Sequence, residues 1–284
     1  MKHKKQMKII ILGTSGMLGH MVSLYFKKKY PSDIILCSRS KTDINSLDKI
    51  LKSVSEYSKK NLSALIDKNR PCKIINCVGI KNNDADKEEL NLINSELPKI
   101  LADILDKKKD GSQLVHISTN GIFSGSKGNY VETDRPDPIN SYGKSKLKGE
   151  VIHFPHITIR TSIIGPELKS NKGLFEWFLE QKSEIKGYTK VKWNGVTTLE
   201  CAKFIDWVIN KKANGLIHLF SKKISKYDLF NITKEVYGKN IKITPDDNIK
   251  QDLTLNTSRT DIKYNVPKHS EMLVELRNIS LSKF

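Results

Sequence analysis

The sequence predicts an α/β fold in which helices cover both faces of a parallel β-sheet, with a smaller lobe at the C-terminal end. Short apolar runs rich in Ile, Val and Leu alternate with helical stretches as far as about residue 165. A glycine-rich loop joins the first apolar run to the first helical stretch. At 284 residues, the chain is long enough for one large domain plus a smaller lobe.

The first half of the chain supplies the strands of the predicted sheet. We expect them near residues 8–12, 34–38, 73–78, 113–118 and 157–160. Helices between consecutive strands make a βαβ pattern, which implies a doubly wound, Rossmann-type parallel sheet buried on both faces. The lysine-rich stretch 46–70 is predicted as a helix with a loop. Residues 120–140 are rich in Gly, Asp, Pro and Asn and lack periodicity, which predicts a long functional loop over the strand ends.

The pattern becomes irregular after Pro166, where we predict a substrate lobe. Helices are expected at residues 173–182, 199–210, 226–237 and 270–280, with one strand near Leu216–Phe220. We therefore divide the chain into a dinucleotide-binding domain over residues 1–165 and a lobe over residues 166–284. Parts of the lobe near residues 195–222 are expected to return to the sheet.

The run GTSGMLG over residues 13–19 stands where the first strand turns into a helix. Glycine lets the chain turn tightly and lets backbone N–H groups approach a pyrophosphate, which then rests at the positive end of the helix dipole. The spacing also fits an ordinary strand-to-helix turn. The cofactor-binding candidates in this loop are Gly13, Ser15, Gly16, Met17, Leu18 and Gly19.

The end of the second strand indicates which dinucleotide binds. Sites for NAD usually place a carboxylate there, which holds the ribose 2′-hydroxyl. This chain instead has Ser38, Arg39, Ser40 and Lys41. A guanidinium and two hydroxyls suit a 2′-phosphate, so we predict NADPH, bound through Ser38, Arg39 and Ser40. The alternative is a solvated basic loop in a lysine-rich protein.

The catalytic candidates are Tyr142 and Lys146, four residues apart on one face of a predicted helix. A carbonyl that takes up hydride needs a proton, and a nearby ammonium should lower the pKa of a phenol that supplies it. Thr119, at the end of the fourth predicted strand, is the expected third donor, with Ser118 in reserve. A Tyr-x-x-x-Lys motif alone usually marks a surface helix. It indicates a catalytic site here only because the glycine loop and the fourth predicted strand precede it.

These motifs together resemble the extended short-chain dehydrogenase/reductase family, and within it the dTDP-4-dehydrorhamnose reductases. The resemblance rests on GTSGMLG, Asp43-Ile44, Asn76-Cys-Val-Gly79, Asn94, VHISTNGIFSG, ETDRPDPINSYGKSKLKGE, IRTSIIGP and GLIHLFSKKISKYDLF. It implies NADPH-dependent reduction of the 4-keto group of a dTDP- or UDP-linked 6-deoxyhexose, in the synthesis of surface polysaccharide sugars.

The resemblance also implies roles for individual residues. Thr119, Tyr142 and Lys146 match the family's catalytic triad. Asp43 and Ile44 would meet the adenine, while Cys77, Val78 and Gly79 would pack on the cofactor. The substrate-binding candidates are Lys81, Asn82, Asn120, Tyr188, Trp193 and Asn194.

Two departures from the family pattern indicate a related branch. The family usually has an acid and then an aromatic residue after the Ser-Thr pair, where this chain has Asn120 and Gly121. The segment Asn194–Thr198 also differs from the usual Gln-x-Gly-x-Pro pattern. We find no match for the divalent-ion site of some relatives and predict no catalytic metal.

Two other functions remain open at this point. A sugar-nucleotide epimerase or dehydratase uses the same fold but returns the hydride to its substrate. A regulatory subunit of the kind associated with methionine adenosyltransferase keeps the NADP site without turnover.

Composition and charge indicate which partners and which cellular location to expect. The net charge of +18 attracts polyanions, yet only six of the 49 basic residues are Arg and no nucleic-acid motif is present, so we expect no nucleic-acid partner. No apolar run is long enough to cross a membrane, and the basic start resembles no signal peptide. We expect a cytoplasmic protein with its four cysteines reduced, no membrane partner, and a homodimer from the family resemblance.

Overall fold

The computed structural model describes residues 7–38, 51–53, 57–81, 86–168 and 173–281. Fourteen strands lie in these ranges: β1 (Lys8–Leu12), β2 (Ile34–Ser38), β3 (Leu51–Ser53), β4 (Cys72–Asn76), β5 (Gln113–Ile117), β6 (Ile157–Arg160), β7 (Ile163–Ile164), β8 (Ile185–Tyr188), β9 (Val191–Trp193), β10 (Val196–Thr197), β11 (Gly215–His218), β12 (Ile224–Ser225), β13 (Ile243–Asp246) and β14 (Gln251–Asp252).

Nine α-helices lie in the same described ranges: α1 (Met17–Lys29), α2 (Lys59–Asn69), α3 (Lys87–Leu90), α4 (Leu97–Asp106), α5 (Ser141–Lys148), α6 (Leu174–Glu180), α7 (Thr198–Asn210), α8 (Lys226–Tyr237) and α9 (His269–Leu281). A π-helical segment, Asn91–Glu96, joins α3 to α4, and a 3₁₀ turn, Asn120–Ile122, follows β5. None of the described helices is both long enough and apolar enough to cross a membrane.

Seven of the described strands form the central sheet, in the order β3-β2-β1-β4-β5-β6-β11. Every neighbouring pair in this sheet is parallel. Its first six strands follow the familiar 3-2-1-4-5-6 order of dinucleotide-binding folds, in which ligands bind beyond the carboxyl ends of the strands where the order reverses. That reversal lies between β1 and β4. The predicted α/β fold with a parallel sheet is confirmed.

The β-branched runs form strands because both of their faces are buried. In β1, Ile9 and Ile11 pack into one apolar cluster with Phe26 of α1 and residues of α7. Ile10 and Leu12 point the other way, into a second cluster with α2 and α4. This alternation has the period of two that a strand imposes, and it leaves helices on both faces of the sheet.

The C-terminal part adds short strands and a third apolar layer. β8 pairs with β13, β9 pairs with β12 and β14, and β7 pairs with β10. Phe178 of α6 stacks on Phe230 of α8, their ring centroids 5.1 Å apart. The strand predicted near Leu216–Phe220 is β11, which lies beside β6 in the central sheet. The domain boundary near residue 165 stays a prediction.

Candidate active site

A cavity of about 430 Å³ opens at the carboxyl ends of the central strands, within the range usual for small-molecule sites. Eleven of the site residues predicted from the sequence line it: Gly16, Met17, Leu18, Cys77, Val78, Gly79, Lys81, Thr119, Asn120, Tyr142 and Lys146. The glycine loop and the Tyr-x-x-x-Lys helix, far apart in sequence, therefore border one cavity.

The glycine loop allows three backbone segments to touch. Gly13 has a φ of +80°, and a Cβ there would lie 2.9 Å from the backbone N of Val78. A Cβ on Gly19 would lie 2.0 Å from the carbonyl oxygen of Gly13. Side chains at either position would push β1, β4 and the start of α1 apart.

The start of α1 suits an anion. Gly16 is its N-cap, and no side chain caps its first turn. The first N–H groups of a helix without such a cap can bond a phosphate at the positive end of the helix dipole. The cradle at Gly16, Met17 and Leu18 therefore fits the pyrophosphate of a dinucleotide. Ser15 is partly exposed beside it and does not line the cavity.

The two hydroxyls that follow β5 have different partners. Ser118 donates from Oγ to Oε1 of Glu150 over 2.7 Å, and Glu150 also accepts from Nε and Nη2 of Arg160 at 2.8 and 2.7 Å. The Thr119 hydroxyl accepts from the N–H of Gly121 and is hydrogen-bonded to the Tyr142 phenol. Because Ser118 is engaged by a buried ion pair, the geometry favours Thr119 as the donor beside Tyr142.

Tyr142 lies in the first turn of α5. The Asn140 side chain caps this helix by accepting from the N–H of Gly143 over 2.8 Å. Burial raises the pKa of Tyr142, and the hydrogen bond with Thr119 opposes that rise in part. The sequence-based expectation that Lys146 lowers the pKa of Tyr142 is therefore wrong here, because desolvation of the phenolate outweighs the other effects.

Lys146 is buried and turned towards the sheet. Its Nζ donates to the carbonyl oxygen of Ile117 over 2.7 Å and lies 3.3 Å from Nε2 of His116. Burial lowers the pKa of Lys146 to about 8, although Glu150 and Cys77 act in the opposite direction. This side chain can therefore change charge close to neutral pH.

Asn94 links two segments that border the cavity, a role that the sequence did not assign. Its amide oxygen accepts from the N–H of Ile80 at 2.9 Å, and its Nδ2 donates to the Ile80 carbonyl and to Ser145 Oγ. These bonds tie the segment after β4 to helix α5. Asn94 lies in the π-helical segment, and its place in the family resemblance was the only signal.

Three predicted substrate residues do not reach the cavity. The amide of Asn194 is buried and bonds both the N–H and the carbonyl of Leu255, so it has no free group for a sugar. Trp193 is buried in an apolar cluster and donates from Nε1 to Ser162. Tyr188 lies in β8, paired with Asp246. Direct substrate contact through Asn194 or Trp193 is therefore wrong, whereas Tyr188 is partly exposed and its assignment stays a prediction.

Of the remaining predicted residues, two have a described position and five do not. Asn120 lines the cavity, with its Nδ2 donating to the carbonyl of Leu253. Ser38 is buried at the end of β2. Five predicted residues lie outside the part of the chain that the structure describes: Arg39, Ser40, Asp43, Ile44 and Asn82.

Five residues line the cavity that the sequence did not single out. They are Ile117, Thr161, Ser162, Ile163 and Glu167; Gly121, which the sequence marked only as a departure from the family pattern, lines the cavity as well. Four of the five follow β6. The IRTSIIGP block, which is part of the family resemblance, could have indicated that this segment borders the site. Their position brings the end of a further central strand to the same cavity.

One cluster of possible metal ligands occurs among the described residues, at Asp106, His153 and His156. His156 Nδ1 accepts from the N–H of Leu114 at 3.1 Å, so a neutral ring carries its proton on Nε2. That Nε2 faces Asp106 and donates to it. A ring with this proton has no lone pair for a metal ion, so the cluster is a hydrogen-bonded network.

Comparison with known proteins agrees with this geometry. The family model described as the RmlD substrate binding domain matches residues 7–245. The chain belongs to the RmlD substrate-binding domain family. The resemblance to the dTDP-4-dehydrorhamnose reductases expected from the sequence is thereby confirmed.

Individual members and neighbours of the RmlD family differ in what they do. The chain is 26% identical over 242 residues to a dTDP-4-keto-6-deoxy-D-glucose reductase of Streptomyces niveus, covering 81% of this chain and 78% of that protein. It is 28% identical over 146 residues to the methionine adenosyltransferase 2 subunit beta of Danio rerio, covering 50% and 42%.

A solved structure supports the fold. The crystal structure of dTDP-4-dehydrorhamnose reductase from Bacillus anthracis strain Ames in complex with NADP matches with a TM-score of 0.77. The match covers 97% of this chain and all of that one at 20% identity, a level at which it bears on the fold alone.

Proposed function

We propose that this protein is an NADPH-dependent reductase of the 4-keto group of a nucleotide-activated 6-deoxyhexose, linked to dTDP or UDP. The observation that carries the proposal is that Thr119, Tyr142 and Lys146 line the same cavity as the glycine loop. The Streptomyces niveus relative is named for a reductase of this class, and the Bacillus anthracis structure contains NADP.

The chain's own residues supply the proton and the orientation. Bound NADPH supplies a hydride. Tyr142 stays protonated at neutral pH because burial raises its pKa, so it can donate to the oxygen of the substrate as that oxygen gains negative charge. Thr119 adds a second hydroxyl at the same place, and Lys146 would hold the nicotinamide ribose and so orient the cofactor.

The cofactor would rest on two parts of the cavity wall. Gly16, Met17 and Leu18 would hold the pyrophosphate, and the backbone of Cys77–Gly79 would pack on the dinucleotide. Ser38, Arg39 and Ser40 would meet the 2′-phosphate, with Asp43 and Ile44 at the adenine. In this proposal residues 1–165 bind the cofactor and residues 166–284 complete the substrate site.

Two lysines favour an anionic substrate. Lys81 lines the cavity, and the ammonium of Lys226 lies 5.1 Å from the centre of the Trp193 ring. Burial, with repulsion from Lys81, lowers the pKa of Lys226 to about 8. Within the described residues neither lysine forms an ion pair. A lysine on the cavity wall, with a second lysine close enough to repel it, suits the diphosphate of a nucleotide sugar.

The proposed substrate class also suggests the metabolic role and the location of the enzyme. We place it in the supply of activated deoxysugars for surface polysaccharide, in the cytoplasm, and as a homodimer. Fractionation of cells and light scattering of the purified protein test the last two points directly.

The activity is tested by NADPH oxidation with dTDP-, UDP- and CDP-linked 4-keto-6-deoxy sugars. Tyr142→Phe should lose about 10²- to 10⁴-fold in turnover and keep its affinity for NADPH, because the phenol hydroxyl acts only on the reacting oxygen. Tyr237→Phe is the matched control and should react like the parent, because Tyr237 packs in an apolar cluster and its buried hydroxyl has no hydrogen-bond partner among the described residues. Equal turnover in Tyr142→Phe and the parent would refute the mechanism.

Two other functions predict different results in the same assay. A sugar-nucleotide epimerase or dehydratase would convert its substrate with no net consumption of NADPH. A regulatory subunit would reduce none of the sugars and would co-purify with a partner enzyme; the Danio rerio relative is named as a subunit beta of methionine adenosyltransferase 2. The presence of Thr119, Tyr142 and Lys146 around one cavity favours turnover over a regulatory role. Arg39 suits the 2′-phosphate of NADPH and so favours the reductase over the epimerase or dehydratase.

A further inference from the structure

A chain of buried hydrogen-bonding groups runs behind the candidate active site, from the segment after β4 to Lys146. His116 of β5 is fully buried at the middle of this chain. Its Nδ1 lies 3.2 Å from Nδ2 of Asn76, and its Nε2 lies 3.3 Å from Nζ of Lys146. Neither Asn76 nor His116 lines the cavity.

The backbone decides which way the Asn76 amide points. The N–H of Val78 donates to Oδ1 of Asn76 over 3.1 Å. The Nδ2 of Asn76, which is a donor, must then face His116. Nδ1 of His116 therefore has to accept, and it can do so only with a free lone pair.

The hydrogen bonds of His116 determine which ring nitrogen carries its proton. Burial and the charge of Lys146 hold the pKa of His116 well below its usual value, so the ring is neutral and carries one proton. With Nδ1 accepting from Asn76, that proton is on Nε2, directed at Lys146. An ammonium has donors only, whereas a neutral amine has a lone pair that can accept from Nε2–H.

We propose that His116, held in its Nε2–H form by Asn76, is a positioning residue that orients Lys146 and favours the neutral amine over the ammonium. The bond from Nζ to the carbonyl of Ile117 can form in either charge state and keeps the amine in place. The ring of His116 thus acts on the active site through Lys146 and touches no reacting atom.

Burial is the main cause of the lowered pKa of Lys146, and the other groups that face it are neutral or act in the opposite direction. Glu150 attracts the ammonium, but its oxygens also accept from Arg160 and Ser118. Burial raises the pKa of Cys77 to about 12, so its thiol is neutral. Tyr142 is protonated at neutral pH because burial raises its pKa. If the protein is the proposed reductase, turnover should fall as Lys146 loses its charge on the alkaline side of neutrality.

The tautomer is tested by ¹⁵N NMR of the whole protein labelled at histidine, with no substrate needed. Proton couplings to the two ring nitrogens distinguish Nε2–H, Nδ1–H and the imidazolium. The His116 signals are identified by their loss in His116→Gln. We expect a neutral Nε2–H ring at pH 7. An Nδ1–H ring or an imidazolium would overturn the proposal.

The effect on Lys146 is tested by titrating the ¹³Cε signals of labelled lysines. The Lys146 signal, identified by its loss in Lys146→Met, should titrate near pH 8 in the parent. In Asn76→Asp the carboxylate can accept from Nδ1–H, which frees Nε2 to accept from an ammonium. The Lys146 midpoint should then rise by about one pH unit or more, and His116 should show the Nδ1–H pattern.

Two controls separate this mechanism from a general change in the protein. Lys226, identified by Lys226→Met, also titrates near pH 8 and should not move in Asn76→Asp. Asp106→Asn alters the partner of His156, another buried histidine, and should leave Lys146 unchanged. A Lys146 midpoint that stays in place while His116 changes tautomer would refute the proposal. Because the experiment needs no turnover, its outcome is independent of whether the reductase activity is found.

Discussion

Helix α5 can bring Tyr142 to Thr119 only because residue 143 has no side chain. A Cβ on Gly143 would lie 2.2 Å from the carbonyl oxygen of Gly121 and 3.0 Å from Cβ of Pro138. Real Cβ atoms essentially never approach another atom closer than 3.0 Å. In Gly143→Ala the start of α5 must therefore move away from the 3₁₀ turn by about 1 Å.

The size of the effect follows from that displacement. A hydrogen bond stretched by about 1 Å is lost, so Tyr142 and Thr119 separate. A misplacement of this size can cost about 10²-fold in rate, which we expect in turnover. Overpacking costs about 1–3 kcal/mol in the free energy of unfolding, which for a chain of this length lowers Tm by about 2–10 °C. The variant should remain folded at assay temperature.

The assay compares turnover, NADPH affinity and Tm for Gly143→Ala and Lys144→Ala. Lys144 is exposed on the same helix, so its variant should match the parent within about 0.5 kcal/mol and react at the parental rate. NADPH affinity in Gly143→Ala should change much less than turnover, because the glycine loop is not disturbed. Parental turnover in Gly143→Ala would refute the claim that this contact positions the phenol.

Three further predictions follow from buried contacts. Gly19→Ala forces α1 away from Gly13 and should cost about 1–3 kcal/mol in stability and at least about tenfold in NADPH affinity, measured by urea unfolding and fluorescence titration. Arg160→Leu leaves Glu150 charged and buried, and should lower the free energy of unfolding by about 3–5 kcal/mol in the same urea assay. Burial lowers the pKa of His269 to about 4, so the unfolded chain binds more protons than the native state between that pH and about 6.5. The free energy of unfolding should therefore fall as pH drops through this window. Between pH 6.5 and 4, the fall in His269→Gln should be smaller than the fall in the parent by up to about 3 kcal/mol.

The sequence predicted the regular elements well where local pattern and burial agree. The strands expected at residues 8–12, 34–38 and 157–160 have those bounds in the structure, and the helix expected at 226–237 is α8. The short strands of the C-terminal part were not predicted. They are two to four residues long and are defined by partners far along the chain, such as β8 with β13, so no local periodicity marks them.

The candidate site was predictable to the extent that motifs carry it. The glycine loop and the Tyr-x-x-x-Lys step placed the cofactor and catalytic candidates around one cavity. Asn194 was wrongly placed because its amide is used by Leu255, 61 residues later, a contact that no local pattern reveals. His116 and Gly143 were not recognised for the same reason, since each acts through atoms on another element.

Gly121 shows how one residue can serve both geometry and specificity. It lines the cavity at the position where the family usually has an aromatic residue. A Cβ there would lie 3.3 Å from Thr119 Oγ1 and 3.7 Å from Cε1 of Tyr142, so any side chain at this position would stand beside the reacting hydroxyls. The glycine leaves that space to the substrate, and its carbonyl is the surface on which Gly143 packs. In the proposed reductase, we therefore expect the substrate to differ from that of family members with an aromatic residue here, in the substituent that faces Tyr142.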